Sequence, residues 1–304
     1  MSSTTNIFIT GATGYIGGTV LSRLLTHPSA PTFKITALVR SPEKAAKLQS
    51  AANNISAVAS ADDLGGMKAI LSGLKKRYEK TGVLVDDQRA KGMYAIEKIY
   101  SDTDIDAIES LPLKAWHRAV DVEVVKADTE GYAKTYIILP SVIYGISTGP
   151  IADLDADVQH LHSIVLPMLI KASLGRGQAA VVGEGKNIWA NVEIGEIADL
   201  YIILYDAILS DPSTAHGREG FYFGENGEHT LYEASKAISE AMLARGKGQT
   251  LEPTSGLLIF FGTNSRCRAD RSRSIGWKPV KTTRDMLASI QPEVDAVLNL
   301  TLTK

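Results

Sequence analysis

The chain has 304 residues, 44% of them hydrophobic and 22% charged, with a formal net charge of −2, which suits a soluble globular protein of one large domain or two modest ones. This balance gives no electrostatic reason to expect nucleic acid or an anionic membrane as partner. No apolar run approaches the ~18 residues of a membrane span, and the start carries no leader of basic then apolar residues. A single cysteine, Cys267, excludes an intrachain disulfide, and a cytosolic protein is expected. In chain order, Ile7-Phe8-Ile9-Thr10 reads as a short strand running into a glycine cluster. Ile16, Val20 and Leu24, with Leu21 and Leu25, then recur at helical spacing until His27-Pro28. Phe33–Val39 reads as a second strand, Glu43–Ala52 as a helix, Ile55–Ala59 as a third strand and Asp62–Glu79 as a long helix. Further on, Lys134–Val142 is a β-branched strand ending near Tyr144-Gly145, and Ile194–Leu209 is an amphipathic helix. Gly220–Gly224 is a strand, and Leu231–Leu243 is a helix. Alternation of this kind predicts an α/β fold with a mostly parallel sheet flanked by helices.

The glycine cluster carries the chemistry. Gly11-Ala12-Thr13-Gly14-Tyr15-Ile16-Gly17 spaces its glycines G-x-x-G-x-x-G, follows a strand and opens a helix inside a βαβ unit. Gly11 permits the tight turn, Gly14 lets backbone approach a pyrophosphate, and Gly17 lets helix and strand pack closely; the helix N-terminus offers N–H groups to the phosphates. This is the Rossmann-like arrangement that binds NAD or NADP. An acidic residue at the end of the second strand selects NAD, and an arginine accommodates the 2′-phosphate of NADP. Here the strand ends Val39-Arg40-Ser41, with no carboxylate before Glu43, so NADP is expected, with NAD possible.

From these residues the chain resembles the extended or atypical short-chain dehydrogenases/reductases, which include nucleotide-sugar epimerases and dihydroflavonol-reductase-like enzymes. Four segments carry the resemblance in order: Phe8–Gly17, Ile138–Gly145, Asn187–Asp199 and Asp270–Pro279. The resemblance implies hydride transfer to or from a carbonyl or alcohol of a small polar substrate, by a monomer or homodimer. It also implies that Leu139, Pro140 and Ser141 lie beside the nicotinamide. Residues 1–150 would form the dinucleotide-binding domain, and 151–304 a small α/β substrate lobe interleaved with late Rossmann elements. The stretch between Val39 and Tyr136 is too short for the further strands and crossovers of the family, with only Ile55–Ala59 and Gly82–Val85 reading as strands there.

The family pairs a tyrosine acid/base with a lysine four residues on along one helix face, the ammonium lowering the phenol pKa. Two matches occur, Tyr94…Lys98 and Tyr232…Lys236. The second follows the Leu139-Pro140 strand, whereas the family's pair precedes it, so Tyr232 reads as a decoy on a packing helix. Tyr94 and Lys98 lie on the correct side but farther upstream than the family places its pair. His117-Arg-Ala-Val-Asp121 stands at that place instead, and a histidine can serve as acid/base. Tyr94 with Lys98 and His117 therefore stand as alternatives, with Thr81 and Tyr144 behind them. His160-Leu-His162 lacks a third ligand at useful spacing, and no metal is expected. Arg266, Arg268, Arg271 and Arg273 form a basic run that in relatives contacts a substrate diphosphate but reads more simply as a solvated face. A non-catalytic dinucleotide sensor or scaffold on the same fold is the alternative function.

Overall fold

The computed structural model describes residues 4–59, 89–113, 115, 117–154, 157–256 and 259–302. The helix expected over Asp62–Glu79, the strand expected at Gly82–Val85 and Thr81 lie outside the described residues. In chain order the elements begin β1 (Thr5–Thr10), α1 (Tyr15–Thr26), β2 (Phe33–Val39), α2 (Pro42–Ala51) and β3 (Ile55–Ala59). There follow β4 (Tyr100–Ser101), α3 (Ile105–Glu109), α4 (Arg118–Thr129), β5 (Ile137–Pro140), β6 (Val142–Tyr144), α5 (Val165–Arg176), β7 (Ala180–Val181), β8 (Ile188–Glu193) and α6 (Ile194–Ser210). The chain closes with β9 (Phe221–Gly224), β10 (Glu228–Thr230), α7 (Leu231–Leu243), β11 (Thr254–Ser255), β12 (Cys267–Arg268), α8 (Asp270–Ser274) and α9 (Thr283–Leu302).

Two compact units result. One comprises Met1–Glu79, Ile146–His162 and Ile194–Asp206, and the other Lys80–Gly145, Ser163–Glu193 and Ala207–Lys304. The chain thus passes between the two units more than once.

In the first unit β1, β2 and β3 form a parallel sheet, with Thr5 opposite Phe33 and Ile35 opposite Ile55. Parallel neighbours need a crossover, which α1 and α2 provide. α1 buries Val20, Leu21 and Leu24 and stops before His27-Pro28, since the residue before a proline is driven out of the helical region. α2 begins where the Ser41 side chain accepts from the Lys44 N–H at 3.3 Å, with Pro42 in its first turn. Phe33, Ile35, Ala37 and Val39 of β2 join Leu21, Leu24, Leu48, Ile151, Val158 and Ala198 in one core. Among the described residues β1 pairs on one edge only, and Phe8 is 57% exposed.

The second unit contains β5 paired parallel with β9, β6 and β10 flanking β8, and the two-residue pairs β4–β12 and β7–β11. Only β10–β8 is antiparallel among these. α7 opens on a capping box between Thr230 and Glu233. α9 runs through Pro292 and buries Met286, Ile290, Val294 and Val297 against α5, α7 and the Trp189 region. Asp102, fully buried, accepts backbone N–H groups of Phe223, Arg271 and Ser272 at 2.9, 2.7 and 3.2 Å, tying β9 to the start of α8. Burial pushes its carboxyl above the ordinary range, against the pull of those donors.

Candidate dinucleotide site

The glycine turn forms as its spacing requires. Gly11 sits at φ +72°, where a side chain is strained, and its carbonyl accepts the Gly14 N–H at 2.8 Å. A Cβ built on Gly17 would lie 2.1 Å from that same carbonyl oxygen, so only glycine lets α1 start this close to the turn. Gly14 is the N-cap of α1 but supplies no side-chain cap, and the first turn carries no acidic residue. A helix N-terminus without a side-chain cap or nearby carboxylate presents N–H groups and a positive dipole end to an anion. The donor set therefore fits a pyrophosphate, with Gly11, Ala12, Thr13, Gly14, Tyr15, Ile16 and Gly17 as the cradle. Arg40, exposed, follows β2 directly and precedes the Ser41 cap of α2.

The candidates for the reacting end belong to the second unit. Leu139 and Pro140 end β5, and Ser141 commits both its N–H and its hydroxyl to the Gly224 carbonyl, at 2.9 and 2.8 Å. Tyr94 and Lys98 do not share a helix face, because residues 91–99 carry no helix. A turn with Lys91 and Gly92 at positive φ precedes them, and side chains from the β12 region hold the segment open. Asn264 donates to the Tyr94 carbonyl at 3.1 Å and Arg266 to the Ile96 carbonyl at 2.7 Å. The Tyr94 ring is 45% exposed, and the Lys98 ammonium lies 4.2 Å from the centre of the Tyr100 ring. His117 is the N-cap of α4 in left-handed conformation, φ +66°, with no side-chain cap bond. Tyr144 is buried and donates to the Thr282 carbonyl at 3.2 Å.

Other sequence candidates take structural roles. Tyr232 and Lys236 do lie on one helix, α7, but both are bound to Glu252, Tyr232 at 2.6 Å. That hydrogen bond raises the Tyr232 phenol rather than lowering it. The arginine run is engaged with acids. Arg266 grips Glu228 through two nitrogens at 2.9 and 2.7 Å, Arg273 meets Glu225 at 2.6 Å, and Arg268 meets Asp270 at 2.8 Å. Arg271 donates to the Asp102 carbonyl at 3.2 Å. Cys267 is buried, and burial pushes its thiol well up, so the flanking arginines do not activate it. Among the described residues no three metal-ligating side chains gather, and no helix is long and apolar enough to cross a membrane.

A βαβ unit with this turn defines a dinucleotide-binding protein of Rossmann type. An NAD-binding family model described as male sterility protein matches residues 9–71, spanning the turn and the first crossovers. The oxidase ucsJ of Acremonium sp is 28% identical over 338 residues, covering 91% of this chain and 93% of that protein. That alignment is longer than the 304 residues present here, so the relative carries stretches this chain lacks. UDP-glucose 4-epimerase of Thermotoga maritima, solved with UDP-glucose, matches with a TM-score of 0.58 at 12% identity over 98% of this chain and 100% of that one. The yeast methylglyoxal/isovaleraldehyde reductase Gre2, solved with NADPH, matches with a TM-score of 0.58 at 11% identity over 97% and 100%. By opening motif and fold, the chain is similar to NAD-binding proteins of the extended short-chain dehydrogenase/reductase kind.

Proposed function

We propose that the chain is an NADP-dependent oxidoreductase, or an epimerase-like enzyme, acting on a carbonyl or alcohol of a small polar substrate. The observation that carries this reading is the Gly11–Gly17 turn, whose close packing onto an uncapped helix start suits a pyrophosphate. The bound nicotinamide supplies or accepts the hydride. Arg40 would pair with the 2′-phosphate at the end of β2. A proton must reach the alkoxide oxygen as the carbonyl is reduced, and Tyr94 or His117 donates it. Lys98 plays a lesser part, because it does not stand one helical turn below Tyr94.

A second reading, a dinucleotide sensor without turnover, draws support from the lack of a helix beneath Tyr94 and Lys98. One experiment separates them. NADPH and NADH are titrated by fluorescence, and NADPH oxidation is followed across a panel of aldehydes and ketones. For an enzyme, Tyr94→Phe or His117→Ala lowers kcat by about 10²–10⁴, with NADPH affinity nearly unchanged for His117→Ala. Tight binding with no turnover across the panel establishes the sensor instead.

A further inference from the structure

Residues 146–162 belong to the first unit and are fastened along α1. The Ser147 and Thr19 hydroxyls meet at 2.7 Å, and the Gln159 amide donates to Ser147 at 2.6 Å and to Thr19 at 3.3 Å. Farther along the helix, Ser22 accepts the Ile151 N–H at 3.2 Å. Thr19, Ser147 and Gln159 are all buried. Gly18 makes the approach possible, since a Cβ there would sit 2.4 Å from the Gln159 carboxamide carbon. The segment reaches the glycine turn itself, where the His160 N–H donates to the Thr13 carbonyl at 2.9 Å. Thr13 stands immediately before Gly14. The His160 ring is exposed, and its Nδ1 lies 3.0 Å from the His162 carbonyl oxygen. A carbonyl can only accept, so Nδ1 donates there and Nε2 is the ring nitrogen left for a ligand.

We infer that His160 is a further cofactor contact, its Nε2 donating to a pyrophosphate oxygen seated on the N-terminus of α1. The inference rests on the dinucleotide-binding reading of that turn. With Nδ1 already a donor, Nε2 carries a proton only in the imidazolium form. Phosphate binding therefore draws a proton onto His160, and the charge assists the hydrogen bond. Among the described residues, the titratable and charged groups on these elements are Tyr15 of the turn, Arg23 of α1, which is tied to Asp199 of α6 at 2.6 Å, and Asp153, Asp157 and His162 of the segment.

The test compares the full chain with its His160→Ala and His160→Gln variants. NADPH and ADP-ribose are titrated by calorimetry near neutral pH, in two buffers of different protonation heat, and apo melting temperatures are recorded. His160→Ala is expected to weaken both ligands by about tenfold, to abolish the buffer-dependent heat and to leave the melting temperature in place. His160→Gln, which keeps a neutral N–H donor, recovers part of the affinity without proton uptake. Unchanged affinity in His160→Ala, or proton uptake that survives it, overturns the inference. A loss for NADPH but not for ADP-ribose does so too, because it moves the contact off the pyrophosphate. If the unmutated chain binds none of these ligands, the dinucleotide reading itself has failed and His160 falls with it.

Discussion

Gly17→Ala probes the geometry on which the cofactor reading stands. In an exposed helix interior, glycine to alanine stabilises by about 1 kcal/mol, because alanine restricts the unfolded chain and favours helix. Here the new methyl would lie 2.1 Å from the Gly11 oxygen and 2.7 Å from its carbonyl carbon. Ordinary contact requires the turn to retreat by roughly an ångström or more. The Gly11 oxygen also holds the Gly14 N–H at 2.8 Å, a bond worth about 1 kcal/mol net. Overpacking against unyielding backbone adds about 1–3 kcal/mol. Set against the propensity gain, the substitution is expected to destabilise by about 1–3 kcal/mol and to weaken NADPH binding sharply, as the cradle is pushed open. Urea unfolding of the apo protein gives the first quantity and fluorescence titration the second. Gly11→Ala is the control: nothing lies within 4 Å of its Cβ, but φ is +72°, so it carries only the left-handed strain of about 1–2 kcal/mol. A Gly17→Ala protein as stable as the original, with unchanged cofactor affinity, would refute the close approach and the cradle built on it.

NADPH is expected to bind at least about tenfold tighter than NADH, with Arg40→Ala bringing the two together, since a charge-assisted phosphate contact contributes about 1.5–3 kcal/mol; equal affinities in the unmutated chain would end the NADP assignment. Tyr232→Phe should leave NADPH affinity and any turnover unchanged, because Glu252 holds that phenol and keeps it protonated; a large loss of kcat would make the later tyrosine–lysine pair the functional one. Stability should fall on acidification between about pH 6.5 and pH 4. Burial pushes His229 down to about 4, with Glu233 opposing, and its Nδ1 pairs with the Asn191 amide at 3.2 Å. The unfolded chain therefore binds the extra proton in this window, so up to about 3 kcal/mol present above it is lost by its lower end. Urea midpoints measured across the window should show that slope in the original protein and a flatter one in His229→Gln.

Much of the fold could be read from residue order because its signals are local. The first strand, the glycine turn, the helix ending at His27-Pro28 and the second strand each depend on residues within a few positions of one another. The structure places them at Thr5–Thr10, Tyr15–Thr26 and Phe33–Val39. Helices α6 and α7 were legible for the same reason, with their apolar periodicity intact. β8, by contrast, runs directly into α6 without a turn residue, so the Asn187–Asp199 motif hides a strand in front of its helix. α9 is obscured by Pro292, an interior breaker that burial of Met286, Ile290, Val294 and Val297 overrides. The two-residue strands β4, β7, β11 and β12 are defined by their partners alone, and no sequence period exists for so short a run.

The glycine turn was therefore determined by sequence alone. Glycine spacing sets backbone conformation directly, and a helix start needs no distant partner to bind phosphate. Tertiary structure alone decided what the polar and charged candidates do. The Tyr-x-x-x-Lys spacing is the same at Tyr94 and Tyr232, yet one pair lies on an irregular segment held by Asn264 and Arg266, and the other on a helix clamped to Glu252. The arginine run became ion pairs because Glu225 and Glu228, some forty residues away in the chain, fold against it. His160 came to the glycine turn through a hydrogen bond to Thr13, nearly the whole first half of the chain earlier. Side-chain chemistry depends on which distant groups arrive within hydrogen-bond reach, and only the folded chain brings them there.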